Sequence, residues 1–183
     1  MKLLNYIVII LGAISFSSVF AQDSGDPPTT PPAPSFPCEE LEQFRDFDFW
    51  VGSWDVHLAD GTFAGSNVIA QEQRGCVLTE NWTGAQGSTG MSINYLDAAK
   101  GEWVQVWHAA SGYQIDIRGG LTPDGMRLNG SIHYVKNEQT LPFRGLWTAL
   151  PDGRVRQFFE ISQDDGKTWA TWFEGFYTRK KAE

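Results

Sequence analysis

The residues of this chain best equipped for chemistry are polar side chains set among aromatic ones on single faces of predicted strands. In C-V-L-T-E-N-W, the alternate positions Cys76, Leu78, Glu80 and Trp82 share a face. In W-V-Q-V-W, Trp103, Gln105 and Trp107 do the same. Asn94 shares a face with Ser92. Arg144 lies on the face opposite Phe143 and Trp147, and Gln157 sits beside Val155 and Phe159 with Glu160 opposite. A polar group between two large rings is at least half buried, and a buried polar group needs a partner. In a hollow fold that partner can be a ligand. The candidate ligand-binding set is therefore Glu80, Trp82, Asn94, Gln105, Trp107, Arg144, Trp147 and Gln157, with Glu80 and Arg144 as its natural charged pair. The competing expectation is that these groups bond one another across a filled interior, or face solvent.

Three classes of function follow. The leading one is a binding protein for a small, partly apolar molecule. The second is a hydrolase or isomerase with Glu80 as general base and Arg144 as oxyanion partner, since an apolar lumen raises a carboxyl pKa into the useful range. The third is a non-catalytic interaction module at the cell surface, which calls for an exposed aromatic patch. No residue is assigned as catalytic, because the chain contains no H-E-x-x-H, C-x-x-C, G-x-S-x-G or Walker motif. His57, His108 and His133 fall singly on three predicted strands, and alternation turns His57 and His133 outward. No metal site and no cofactor are expected. The net charge of −8 and the lack of a Lys/Arg cluster exclude a nucleic-acid partner and argue against docking on anionic lipid.

The elements that must position these residues are strands. From Ser53 onward the apolar pattern has period two, giving about ten candidate strands: 53–59, 62–72, 76–83, 90–96, 103–108, 113–118, 125–134, 140–150, 154–162 and 168–179. The gaps between them are short and rich in Gly, Asp and Asn, as hairpin turns require. None can hold a crossover helix, so the sheet is antiparallel, and closing it removes the exposed edges. The expected fold is all-β: an antiparallel up-and-down barrel of about ten strands. Eight Trp and twelve Phe supply its core. Cys38 to Asp48 places Leu41, Phe44 and Phe47 three apart, which predicts a short N-terminal helix acting as a plug. Ser162-x-Asp164-x-Gly166-x-Thr168-Trp169 matches an Asp-box hairpin and reads as a folding device.

The N-terminal portion divides into residues 1–21, read as a secretory signal peptide cleaved after Ala21 with an uncleaved anchor as the alternative, and residues 22–37, a Pro-rich linker; residues 38–183 are expected to form the single barrel domain. The expected location is secreted or periplasmic, with no membrane insertion after cleavage, and the oligomeric state is left open. Export to an oxidising compartment permits a disulfide between Cys38 and Cys76, the two cysteines of the chain; two unpaired thiols are the alternative.

Two resemblances bear on this. Gly52-x-Trp54 at the first strand and Arg179 near the end of the last resemble the calycin barrels: lipocalins, fatty-acid-binding proteins and nitrobindin-like proteins. The resemblance implies that Trp54 packs across the closed barrel end against the basic residue. The T-D-Y motif of true lipocalins is missing, and ten strands exceed their eight. More closely, F-D-F-W-V-G-S-W-D-V, G-C-V-L-T-E-N-W-T-G, G-M-S-I-N-Y-L-D, W-V-Q-V-W and S-Q-D-D-G-K-T-W, in that order, resemble a family of secreted bacterial proteins of unknown function with a lipocalin-like barrel. That resemblance implies no activity. The chain departs from it at Trp107-His108-Ala109, where an acidic residue is expected after the Trp.

Overall fold

The computed structural model describes residues 34–181; the signal peptide and most of the Pro-rich linker expected above lie outside the described residues. Ten strands follow one another around a closed antiparallel barrel: β1 Gly52–His57, β2 Phe63–Glu72, β3 Val77–Gly84, β4 Thr89–Asp97, β5 Glu102–Ala109, β6 Tyr113–Thr122, β7 Gly125–Tyr134, β8 Gln139–Ala149, β9 Val155–Ile161 and β10 Ala170–Arg179. Each pairs with its sequence neighbour, and β1 closes on β10 with Trp54 opposite Arg179 and Val56 opposite Tyr177. The alternation read from the sequence becomes an inside and an outside. Along β9, Val155, Gln157, Phe159 and Ile161 are buried while Arg156, Phe158 and Glu160 between them are only half-buried.

One end of the barrel is plugged. The N-terminal segment is not the continuous helix expected over 38–48. It consists of one α-helical turn, α1 (Pro37–Glu40), and two 3-10 turns, Glu42–Phe44 and Asp48–Trp50. Leu41 adopts an extended conformation that breaks the helix, and its side chain is exposed rather than part of an apolar stripe. Phe44 and Phe47 are buried as expected, together with Trp50. Phe47 stacks on Trp50 at 4.9 Å between ring centroids and meets Trp103 and Trp147 edge-on at 5.7 and 5.3 Å. Trp50 and Trp147 bury indole N–H groups that find no hydrogen-bond partner among the described residues. Burial of their rings has to outweigh about 1–3 kcal/mol for each.

Trp54 anchors the plug to the barrel. Its indole N–H donates to the Trp50 carbonyl at 2.9 Å, its ring meets Tyr177, and the Arg179 guanidinium lies 4.3 Å over its face. Arg179 also donates to the Val51 carbonyl at 3.1 Å. Gly52 opens the strand at φ +145°, where a side chain is strained, and a Cβ there would collide with the Arg179 guanidinium. Trp54 and Trp50 are therefore structural, and so is Trp147.

Cys38, on α1, is joined by a disulfide to Cys76, immediately before β3, with a Cα–Cα distance of 4.9 Å. The bond ties the plug to the barrel wall, where the Arg45 guanidinium also donates to the Gly75 carbonyl at 2.8 Å. At the β9–β10 turn the Asp-box forms as expected. Asp164 accepts from the Thr168 amide and hydroxyl, each at 2.7 Å, Ser162 Oγ accepts from the Gly166 amide at 2.8 Å, and the Trp169 indole donates to the Gly166 carbonyl at 3.1 Å.

Two stability predictions follow from the plug. Trp54→Ala lowers the unfolding free energy by about 3–5 kcal/mol, the range for truncating a fully buried Trp. Replacing both cysteines by serine lowers it by about 4 kcal/mol on the loop-entropy account, for a loop of 38 residues. Denaturant unfolding followed by Trp fluorescence measures both. A Trp54→Ala protein with unchanged stability would contradict the anchoring role.

Candidate functional site

Above the plug the lumen is hollow. A cavity of about 180 Å³ is floored by Glu80, Gln105, Gln157 and Tyr177 and walled by Trp82, Trp107, Tyr113, Ile115, Phe159, Trp172 and Phe173. Trp82, Tyr113, Trp172 and Phe173 are only half-buried and form its rim toward solvent. Space for it exists partly because inward positions near the rim are glycine. A Cβ on Gly90 would overlap the Trp107 ring, which lies flat against that stretch of β4.

Glu80 sits on the inward face of β3, 3% exposed. Its Oε1 accepts from Asn67 Nδ2 of β2 at 2.7 Å, and its Oε2 accepts from Ser92 Oγ of β4 at 2.7 Å and from Gln105 Nε2 of β5 at 3.5 Å. Asn94 donates to Ser92 Oγ at 2.8 Å and to the Leu78 carbonyl at 3.2 Å, and accepts from Gln105 at 2.9 Å. On the other side Asn67 also donates to the Tyr177 hydroxyl at 3.2 Å, and Tyr177 donates to Gln157. A continuous chain of hydrogen bonds thus crosses the lumen from β9 to β5 with Glu80 at its centre. Cross-strand register brings it together, because Glu80 lies opposite Ser92, and Asn94 opposite Gln105.

Burial pushes the Glu80 carboxyl up from 4.5 to about 7, against the opposing pull of its bonds from Ser92 and Asn67. Burial also raises the Tyr177 hydroxyl well above its ordinary value, with the Glu80 charge adding to the rise and the Asn67 bond opposing it. Tyr113 is raised by burial too, with smaller contributions from Tyr134 and then Glu80. The Trp107 indole N–H opposes part of that rise, yet makes no hydrogen bond of ordinary geometry. It is a buried donor without a hydrogen-bond partner among the described residues.

The structure separates the sequence-derived set into three groups. Glu80, Trp82, Gln105, Trp107 and Gln157 line the cavity. Asn94 lies one layer below it and braces Ser92 and Gln105. Two residues belong elsewhere. Trp147 is fully buried against Phe47 and Trp50 in the plug. Arg144 is on the outer wall, where its Nε donates to Glu160 at 2.7 Å and its guanidinium lies 4.1 Å over the Trp169 ring. Its neighbours Phe143 and Gly145 point inward, so strand alternation forces it out. The expected Glu80–Arg144 pair does not form, and the oxyanion role for Arg144 falls with it.

The sequence reading missed Asn67, Tyr113, Trp172, Phe173 and Tyr177 as site residues. Tyr177 was within reach, since it shares parity with Arg179. Trp172 and Phe173 were not, because a register irregularity between Thr171 and Phe173 sends both consecutive rings toward the lumen, where strict alternation admits one. Of the histidines, His108 is exposed and His57 and His133 lie on outer faces, half-buried, beside Phe63 and Thr140 respectively.

The fold and site define a class: a closed ten-stranded antiparallel barrel, compatible with a calycin-like architecture, with a plugged end and a hollow, aromatic-walled end. No protein-family model matches the chain, and no curated protein matches it in sequence.

The Glu80 environment makes a prediction for stability. With its folded pKa near 7 above the ordinary value of the unfolded chain, the native state holds a proton that the unfolded state has released at intermediate pH. Stability is therefore full below the unfolded value and declines as pH rises toward 7. The loss is roughly 3 kcal/mol by linkage. Glu80→Gln, which carries no titrating group, should show a flatter profile between pH 5 and pH 8. Denaturant unfolding across that range checks it, and equal slopes would contradict the raised pKa.

Proposed function

We propose that this protein is a secreted or periplasmic binding protein for a small, partly apolar molecule held in the open half of the barrel. The observation that carries this reading is the cavity itself: about 180 Å³, walled by rings and floored by amide, carboxyl and hydroxyl groups. Binding pockets combine an apolar wall with a few placed polar groups in this way. An apolar cavity of about 150 Å³ is enough to take benzene, so the volume suits a molecule built around one ring. The Cys38–Cys76 disulfide supports the export reading, since such bonds persist in oxidising compartments.

A second reading has one specific observation in its favour. A buried carboxyl with a pKa near 7 is poised for general acid–base work, and Glu80 borders the cavity. Without Arg144 inside, no basic side chain among the lining residues meets a developing negative charge. The hydrolase or isomerase reading leaves its charge stabilisation unassigned.

Native mass spectrometry of the protein purified from its source, with thermal-shift screening of single-ring compounds, tests the binding reading. A compound present at a hundred times its Kd should raise stability by about 2.7 kcal/mol. Ile115→Trp, which fills the cavity, should remove that gain while leaving the barrel folded. Full retention of the gain in Ile115→Trp would place binding elsewhere.

A further inference from the structure

The lumen also constrains the charge of what enters it, on the footing of the binding reading above. Glu80 is the one carboxyl at the cavity, and among the described residues no Lys, Arg or His lines it. The groups bonded to Glu80 are neutral, Asn67 from β2, Ser92 from β4 and Gln105 from β5, and so are Asn94 and Gln157, which join the same network through Ser92, Gln105 and Tyr177. The hydroxyls of Tyr113 on β6 and Tyr177 on β10 are neutral at neutral pH, as phenols ordinarily are, and burial moves both further from ionisation. Nearby basic side chains are paired outside the barrel, Arg144 with Glu160 at 2.7 Å and Arg156 with Glu174 at 2.6 Å. Ionised Glu80 therefore has hydrogen-bond donors and no counter-charge.

A carboxylate offers about four acceptor positions over its two oxygens. Oε2 accepts from Ser92 and Gln105, but Oε1 accepts from Asn67 alone. Among the described residues Oε1 therefore keeps an acceptor position unfilled, on a carboxyl that borders the cavity. The walls around it are Trp82, Trp107, Tyr113, Trp172 and Phe173, rings whose negative faces attract a desolvated cation. An anionic ligand would meet Glu80 with like charge and find no basic residue to hold it.

We propose that the cavity selects a small organic cation, an aryl- or alkylammonium with about seven or eight non-hydrogen atoms by the cavity scale above, whose ammonium group pairs with Glu80 while the aromatic walls hold its apolar part. The cation enters bound to the ionised form of Glu80, so its affinity follows the ionised fraction of that carboxyl. With an apparent pKa near 7, affinity rises about tenfold from pH 6 to pH 8. A neutral ligand of the same shape shows no such rise.

Isothermal titration of the full exported chain with benzylamine, benzyl alcohol and benzoate tests this. At pH 8 benzylamine should bind at least about tenfold more tightly than benzyl alcohol, by the strength of a desolvated charge pair with ring contacts, and benzoate should not bind. Benzylamine affinity should rise with pH in the wild-type protein, a readout that needs no variant. Glu80→Gln should lower benzylamine affinity about tenfold or more and abolish its rise with pH, with circular dichroism confirming the barrel. Benzyl alcohol binding as well as benzylamine, with no pH dependence, would overturn the charge assignment and leave the binding reading standing. Failure of all three compounds to bind would overturn both.

Discussion

Closure of the hydrogen-bond ladder between β1 and β10 is the constraint on which everything else rests. Pairing Trp54 with Arg179 and Val56 with Tyr177 turns a ten-stranded meander into a tube, and with it strand alternation becomes a division between lumen and solvent. The same seam carries the chemistry of both ends. Trp54, beneath the Arg179 guanidinium, anchors the plug through the Trp50 carbonyl. Tyr177, two residues earlier on the same face, enters the polar network at the cavity floor.

The barrel then divides along its axis by how its interior is filled. At the plugged end the N-terminal turns insert Phe44, Phe47 and Trp50 among barrel tryptophans, and the packing is dense enough to leave indole N–H groups unpartnered. At the other end the rings stand around the wall instead of across it. Between the two lies the layer of Asn67, Glu80, Ser92, Asn94 and Gln105, in which nearly every polar atom is bonded to another. A satisfied buried network of this kind rigidifies the wall and holds one acid group in a fixed place. The Asn67 Oδ1 atom is the exception, a buried acceptor with no partner among the described residues.

Much of the site was legible before the fold was known. Glu80, Gln105 and Gln157 stood out because each is polar between large apolar residues at alternate positions, and each borders the cavity. The same rule applied to Arg144 and Trp147 misled, for two reasons. Arg144 has the opposite parity to the inward residues of β8, and pairing with Glu160 across β9 satisfies its charge on the outer wall. Trp147 has the right parity but the wrong height, and height along the barrel depends on strand stagger, which no local pattern records. Trp172 and Phe173 escaped notice because the irregularity in β10 breaks alternation where the rim is built.

The fold follows from local pattern: period-two hydrophobicity, short Gly- and Asp-rich turns and no room for crossover helices leave an antiparallel sheet whose edges are best removed by closure. The sequence also marked the plug's aromatic residues and the cysteines that hold it. Three facts needed the folded barrel: which half of the lumen is empty, which polar residues reach it, and that Glu80 borders it with no basic residue among the lining. Those facts come from register between strands distant in sequence and from the volume left after large rings pack around the axis. Both are properties of the closed barrel as a whole and of no single strand.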